Sequence, residues 1–234
     1  MQNKKIVITG GTSGLGLSLA RKLTALGAQV ITLARNEERG QRVAKELGCD
    51  FIPCDISDPQ WCRRAHEAIV KKYGDIDILI NNAGIRIDKD HGEDDPSKRE
   101  QVFGTNILGA IDLIELFVPA MRMRNSGMIA NVVSTTALPM LKPSAYYKTY
   151  AASKSALARY SDALRADLKD TKIKVIQFFP GGFESNNLES GGWPKEKSHN
   201  LPGQMKTDDV ADCLMFMLTR PDDIEIISLV VEKK

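Results

Sequence analysis

Between residues 5 and 231, short apolar runs rich in β-branched residues alternate without interruption with amphipathic segments of helical period. KIVITG (5–10) precedes a helical pattern over 14–26, and AQVITLAR (28–35) precedes one over 37–47. CDFIPCD (49–55) leads to a helix that starts after Asp58 and stops at Gly74, and DIDILINNAG (75–84) to a long helix over 97–123. MIANVVS (128–134), a helix through YAASKSALARYSDALRADL (150–168), IKVIQFF (173–179), a loop, a helix over 207–218 and a last strand near 225–231 complete the pattern. The strands read as continuous apolar runs, not as strict alternation, which is expected where helices cover both faces of a parallel sheet. Seven strands and six helices predict an α/β chain: one doubly wound parallel sheet in a single domain spanning residues 1–234.

The bulk numbers narrow the function. A formal charge of +2, from 32 basic and 30 acidic residues, provides no broad cationic surface for a nucleic acid or an anionic membrane. No stretch reads as the ~20 apolar residues of a membrane span, and MQNKKIVITG runs directly into a strand pattern, so a cytoplasmic location is expected. Cys49, Cys54, Cys62 and Cys213 form no CxxC pair, and His66, His91 and His199 lie far apart, so neither a disulfide framework nor a metal site is expected. Two stretches break the order. Residues 88–95 are rich in acids and read as a solvated loop; residues 181–206, with two GG pairs, two prolines and Trp193, are long enough to read as a lid over a binding site.

The first strand ends in TGGTSGLG (9–16), directly before an amphipathic helix. Gly10, Gly14 and Gly16 at that turn permit unusual backbone angles and let the main chain approach a pyrophosphate, aiming free helix amides at it. Thr12 and Ser13 add hydroxyl donors, and Leu15 lies within the same first turn. The sheet is thus predicted to be of the Rossmann type, with a dinucleotide at the first βα turn. At the end of the second strand, where an acid would bind the 2′-hydroxyl of NAD, stands Ala34, followed by Arg35 and Asn36. A guanidinium there can clasp a 2′-phosphate, so NADP(H) is the expected cofactor.

Tyr150 and Lys154, in YAASK, stand one helical turn apart and share a face. An ammonium beside a phenol favours the phenolate and is expected to pull the tyrosine toward neutrality, which makes a general acid–base catalyst.

With these residues placed, the chain resembles the short-chain dehydrogenase/reductase family over nearly its whole length. The matching motifs are TGGTSGLG, Asp55 in CDISD, NNAG (81–84), Asn106 in TNILG, Ser134 in NVVS, YAASK and the PG at 180–181. The resemblance implies that Asp55 accepts from the adenine amino group with the Ile56 amide assisting, although a plain turn residue is the other reading of Asp55. It implies that Asn82, Ala83 and Gly84 bring the backbone under the cofactor; for Asn82 a purely structural role stands equally open. Ser134 would polarise the substrate oxygen, Lys154 would bond the nicotinamide ribose, and Asn106 would hold a water that relays protons to Lys154. Pro180 and Gly181 would shape the turn after the sixth strand, with Ser185 bonding the nicotinamide carboxamide to orient the ring for transfer of the pro-S hydride.

The chain departs from the family in the extended interval TTALPMLKPSAYYKTY between Ser134 and Tyr150, and in stopping at Lys234 without a glycine-containing tail. Tyr147 is a rival tyrosine, but its fourth following residue is Ala151, so Tyr150 is preferred. The expected activity is an NADP(H)-dependent oxidoreductase that interconverts a carbonyl and a secondary alcohol of a small molecule, in a homodimer or homotetramer. A non-catalytic NADP-binding regulator or redox sensor is the alternative. A nucleotide-sugar epimerase would show a TGxxGxxG loop and a larger C-terminal region.

Overall fold

In the computed structural model the chain is described over residues 1–87, 95–138, 147–184 and 204–234. Seven strands form one sheet: β1 (Lys5–Thr9), β2 (Gln29–Ala34), β3 (Asp50–Pro53), β4 (Ile78–Asn81), β5 (Gly127–Val132), β6 (Ile173–Pro180) and β7 (Ser228–Val231). Their order is β3-β2-β1-β4-β5-β6-β7, and every pairing is parallel. The winding reverses between β1 and β4, and the carboxyl ends of those two strands open the crevice in which such sheets take ligands.

The helices are α1 (Gly14–Ala25), α2 (Glu37–Leu47), α3 (Pro59–Tyr73), α4 (Pro96–Phe103), α5 (Gly109–Met123), α6 (Lys148–Asp167) and α7 (Thr207–Leu218). A π-helical segment, Gly104–Leu108, joins α4 to α5, so the long helix expected over 97–123 is one rod with a widened turn. Local chemistry sets the ends. Asp58 accepts from Gln60 N at 2.8 Å and Pro59 occupies the first turn of α3, while Gly74, at φ +69°, stops it. Asn36 caps α2 in the same way through Arg39 N.

Alternate side chains of each strand feed two cores. Ile6, Ile8, Ile78, Ile80 and Phe178 pack with Leu19 and Leu23 of α1 and Leu214 of α7 on one face. Val7, Ile31, Leu79, Ile129 and Val175 pack on the other with Ile69 of α3 and Leu113, Phe117 and Met121 of α5. Leu113, Phe117 and Leu164 serve the sheet core, and Leu157 joins Ile107 of the π-helical segment and Ala110 in a small cluster against α6.

Two expectations are corrected. The rod Pro96–Met123 is long and apolar enough to cross a membrane by length and composition, with a mean hydropathy of 1.5 over its best window, yet 56% of that window is buried inside the fold. It passes as a core helix. The last strand starts at Ser228, three residues later than expected, because side chains replace the ladder there: a Glu225 carboxylate oxygen accepts Val175 N at 2.7 Å, and Lys174 Nζ donates to Pro221 O and Ile224 O.

The α5 rod lies close against the loop after β3 because Gly109 has no side chain; a Cβ there would stand 2.0 Å from Ile56 O. An alanine in a helix interior ordinarily gains up to about 1 kcal/mol over glycine. Here the clash with a main-chain oxygen reverses that sign. Gly109→Ala is expected to cost about 2 kcal/mol and lower the melting temperature by about 4–8 °C in thermal denaturation.

Candidate active site

The turn between β1 and α1 is shaped to admit an anion. Gly10 and Gly14 take φ of +65° and +49°, and a Cβ on Gly16 would lie 2.3 Å from Gly10 O, so helix and loop touch without side chains between them. Ser13 occupies the N-cap, but its hydroxyl makes no capping bond, so it does not take up the first-turn amides at Gly14, Leu15 and Gly16. Thr12 is buried beside them. Arg35 lies just past β2 and is exposed. Asn36 uses its side-chain oxygen to cap α2, so only its amide N–H groups remain for a ligand.

The NNAG segment is sewn to this turn. Thr9 Oγ1 accepts Asn82 N at 3.0 Å and Ala83 N at 2.9 Å, and Asn82 Nδ2 donates to Thr9 O at 2.9 Å. Asn82 therefore has a structural role in the described fold. A Cβ on Gly10 would meet Ala83 Cα at 3.0 Å, which explains why both loops need small residues. Beyond them Gly84 is exposed on the crevice floor; a Cβ there would come within 3.3 Å of Lys154 Nζ and 3.4 Å of Asn106 Oδ1. Asp55, in the loop after β3, spends Oδ1 on Ser57 N at 3.0 Å and Ser57 Oγ at 2.7 Å, an Asx turn that fixes the following Ile56, which is buried.

The π-helical segment places Asn106 between two elements. Its Oδ1 accepts Ile85 N at 2.8 Å, and its Nδ2 donates to Ile85 O at 2.9 Å and Ser153 Oγ at 3.0 Å. Ser153 Oγ in turn donates to Tyr150 O at 2.8 Å. The Asn106 side chain thus acts as a clamp between the loop after β4 and the first turns of α6. Ser153 was not singled out in the sequence, although its place directly before Lys154 was the available signal.

Ser134 follows β5, is 7% exposed, and caps a short 3₁₀ turn (Thr135–Ala137) by accepting Thr136 N at 3.2 Å. The same hydroxyl acts on the Tyr150 phenol, drawing its pKa down. Lys154 is 2% exposed, and its Nζ donates to Val132 O at 2.8 Å and lies 6.0 Å from the Tyr150 ring centroid. The structure thus gathers Asn106, Ser134, Tyr150 and Lys154 at the carboxyl ends of β4 and β5.

The electrostatics differ from expectation. Burial pushes the Tyr150 phenol above its ordinary value, and the Ser134 hydroxyl and the charge of Arg86 pull the other way. Burial lowers the pKa of Lys154 to about 8, and its ammonium donates to the Val132 carbonyl. Arg86, two residues beyond NNAG, was missed by sequence reasoning. Its guanidinium carbon sits 4.7 Å over the ring of Tyr147, the rival tyrosine, which stands at the N-cap of α6.

Pro180 ends β6 opposite Val231, and Gly181 N donates to Val231 O at 2.8 Å. The Glu232 carboxylate packs so closely on Gly181 that a Cβ would meet it at 2.4 Å. Both ends of the expected lid are pinned together, Glu184 N donating to Met205 O at 2.9 Å and Met205 N to Gly182 O at 3.1 Å. Ser185, Trp193 and most of the lid, the acidic stretch 88–94 and the LPMLKPS insertion beyond Leu138 lie outside the described residues. Among the described residues no cluster of metal-ligating side chains occurs.

A glycine cradle at the first βα turn, and a serine, tyrosine and lysine at the carboxyl end of the sheet, coincide with a sequence match: the family model described as short chain dehydrogenase covers residues 4–192. The chain belongs to the short-chain dehydrogenase family. Among its relatives, a "Probable NADP-dependent dehydrogenase" of Haemophilus influenzae is 30% identical, the match covering 97% of this chain and 92% of that one. An "NADP-dependent 3-hydroxy acid dehydrogenase" of Schizosaccharomyces pombe is 29% identical, covering 99% of this chain and 93% of that one. Among solved structures, serine dehydrogenase from Escherichia coli superposes with a TM-score of 0.81 at 26% identity over 97% of this chain and 96% of that chain. A closed form of serine dehydrogenase complexed with NADP+ reaches 0.85 at 26% identity over 97% and 94%.

The depressed lysine has a measurable consequence. Below pH 8 Lys154 is charged in the folded and unfolded chains alike, and burying that charge costs about 3 kcal/mol relative to a neutral side chain in the same place. As pH rises above 8 the folded protein releases that proton first, the unfolded chain holds more protons, and the penalty fades by about pH 10.5. Lys154→Met is therefore expected to be more stable than the parent at pH 7 without ligand, with the advantage shrinking between pH 8 and 10 in chemical denaturation. A pH-independent difference would contradict it.

Proposed function

We propose that this chain is an NADP(H)-dependent oxidoreductase of one dinucleotide-binding unit that interconverts a carbonyl and a secondary alcohol, with Tyr150 as general acid and base. The observation that carries the reading is the buried Lys154 ammonium 6.0 Å from the Tyr150 ring, with buried Ser134 at the carboxyl end of β5 acting on the same phenol. The NADP-dependent names of relatives support the cofactor, and so does the fit of the residues present: an uncapped helix start, glycines that no Cβ can replace, and Arg35 where an acid would favour NAD.

When bound, the nicotinamide supplies or accepts a hydride. Tyr150 gives the matching proton to the substrate oxygen in reduction and removes it in oxidation. Ser134, held extended by its own turn, donates to the same oxygen and stabilises its developing charge. Lys154 bonds the nicotinamide ribose and, once an oxygen draws the ammonium away from Val132 O, raises the positive potential at the phenol. Asn106 holds the first turns of α6 in register with the loop after β4, and a proton relay through water at this residue belongs to the same reading. Asp55 and the Ile56 amide hold the adenine, Arg35 and Asn36 the 2′-phosphate, Gly10 through Gly16 the pyrophosphate, and Pro180, Gly181 and Ser185 the nicotinamide end. The protein works as a homodimer or homotetramer through the outer faces of α4 to α6, where Phe103 and Leu108 are exposed.

Tyr150→Phe is expected to lower NADPH-dependent reduction across a panel of ketones and aldehydes by about 10²–10⁴-fold while NADPH binding stays nearly intact. Retained turnover would overturn the role of the phenol. Arg35→Asp is expected to reduce the preference for NADPH over NADH by about 30-fold or more, since it replaces a charge-assisted contact with repulsion. Fluorescence titration with the two reduced cofactors reads this directly.

A further inference from the structure

We propose that Thr136 is a positioning residue for the reaction: its hydroxyl fills the second acceptor place on Ser134 Oγ, so that the one proton of Ser134 is left for the oxygen of a bound carbonyl. This deepens the oxidoreductase reading above and rests on it.

A hydroxyl has one proton and two lone pairs, and which of them faces a ligand decides whether it recognises an acceptor or a donor. On Ser134 both lone pairs are engaged by one residue. Thr136 N donates to Ser134 Oγ at 3.2 Å, and Thr136 Oγ1 donates to the same atom at 3.1 Å. The proton of Ser134 therefore points away from the turn. The main-chain bond alone, which any residue but proline can make at position 136, leaves one lone pair open and the hydroxyl able to serve in either sense. The threonine side chain removes that choice. Accepting two bonds also makes Ser134 a stronger donor, because each bond in a chain polarises the next.

The effect of Ser134 on its neighbour has the matching sign. Ser134 draws the Tyr150 phenol down against the push of burial, which a donor to the phenol oxygen does and an acceptor does not. A single proton cannot serve Tyr150 and Thr136 at once, so the bond between the two hydroxyls runs from Thr136 to Ser134, as its geometry has it. Burial keeps the phenol protonated, so both hydroxyls of the crevice offer protons. A carbonyl oxygen, which only accepts, matches them, and this is the polarity that reduction needs.

The main chain around Ser134 is held without the Thr136 hydroxyl. Val133 N donates to Phe178 O at 2.7 Å, and the turn closes through Ala137 N to Ser134 O at 3.1 Å and Leu138 N to Thr135 O at 3.0 Å. Thr136 itself is half-buried, and its branched Cβ restricts χ1, which keeps the hydroxyl on Ser134. Removing that hydroxyl therefore changes the polarity of Ser134 and leaves the turn in place.

Thr136→Val keeps the branched shape and the main-chain N–H and removes only the hydroxyl; Thr136→Ser keeps the hydroxyl. Both are made in the parent, and Thr136→Val also in Ser134→Ala. Reduction with NADPH is measured on the ketone that the parent turns over fastest in a panel that includes cyclohexanone and methyl acetoacetate. Thr136→Val is expected to lower kcat about fivefold with the KM for NADPH unchanged, and Thr136→Ser to stay within about twofold of the parent. In the Ser134→Ala protein the further change from Thr136→Val is expected to be less than about twofold, since the hydroxyl through which it acts is gone. With NADP+ and the matching alcohol, the rising limb of kcat/KM against pH reports Tyr150. It is expected to move up by about half a pH unit in Thr136→Val and not in Thr136→Ser. An undiminished kcat or an unmoved limb in Thr136→Val overturns the proposal. So does a loss that Thr136→Ser shares, or one of equal size in the Ser134→Ala protein, since a purely structural residue behaves in that way. Any of these results in an active parent removes only the role of Thr136, whereas a parent that binds NADPH and reduces no carbonyl of the panel removes the oxidoreductase reading and this one with it.

Discussion

The Asn106 amide is the contact on which the geometry of the crevice depends. One side chain satisfies both polar groups of Ile85 and donates to Ser153, so three separate stretches of chain are fixed by three bonds of 2.8 to 3.0 Å. A regular α-helix would carry position 106 past this point, because its side chains advance by 100° per residue. The π-helical turn over Gly104–Leu108 adds the extra backbone that re-aims the amide. It also sits where Gly104 and Gly109 let the rod approach the loop after β3, the Gly109 Cβ position lying 2.0 Å from Ile56 O. Helix irregularity, loop position and the register of α6 are therefore one constraint.

That constraint shows why sequence reading reached some features and not others. The sheet and the six helical rods were legible because burial on both faces demands continuous apolar strands, and because caps such as Asp58 and stops such as Gly74 act locally. The glycine cradle was legible for the same reason: its chemistry is in the backbone. The π-helical turn was not, since TNILG carries no composition that distinguishes it from an α-turn. Arg86 was not legible either. Its position follows from Asn106 holding Ile85, a contact across 21 residues. Glu225 substituting for a strand carbonyl at Val175 N is a third case, spanning 50 residues, in which a side chain does what the apolar pattern assigned to the main chain. The missed features are long-range side-chain contacts, and one-dimensional periodicity cannot encode them.

The sequence led to the expectation that Lys154 pulls the Tyr150 phenol toward neutrality, whereas burial pushes that phenol up in the unliganded fold. Two residues one turn apart on a helix do share a face, but whether their charges act on each other depends on where the flexible arm ends. Lys154 ends on Val132 O, a carbonyl at the end of the central sheet, and burial holds its pKa at about 8. Its charge therefore costs stability in the unliganded protein. On the proposed function a ribose hydroxyl would replace the carbonyl, and part of the favourable energy of binding would come from relieving a penalty built into the fold.

The phenol follows the same logic with the opposite sign. Burial favours its neutral form, so the unliganded protein holds a proton on Tyr150, ready to be given to a carbonyl oxygen. Removing a proton from an alcohol instead requires the phenolate, which needs more positive potential than Ser134 and Arg86 supply alone. On the proposed function Lys154 would hold the ribose in either redox state, and the oxidised ring would add positive charge when the alcohol is to be oxidised. The reduced ring is neutral. On the proposed reaction, the protonation state of Tyr150 is thus matched to the redox state of the bound nucleotide, and the fold needs only to bury the phenol and leave the cations around it movable.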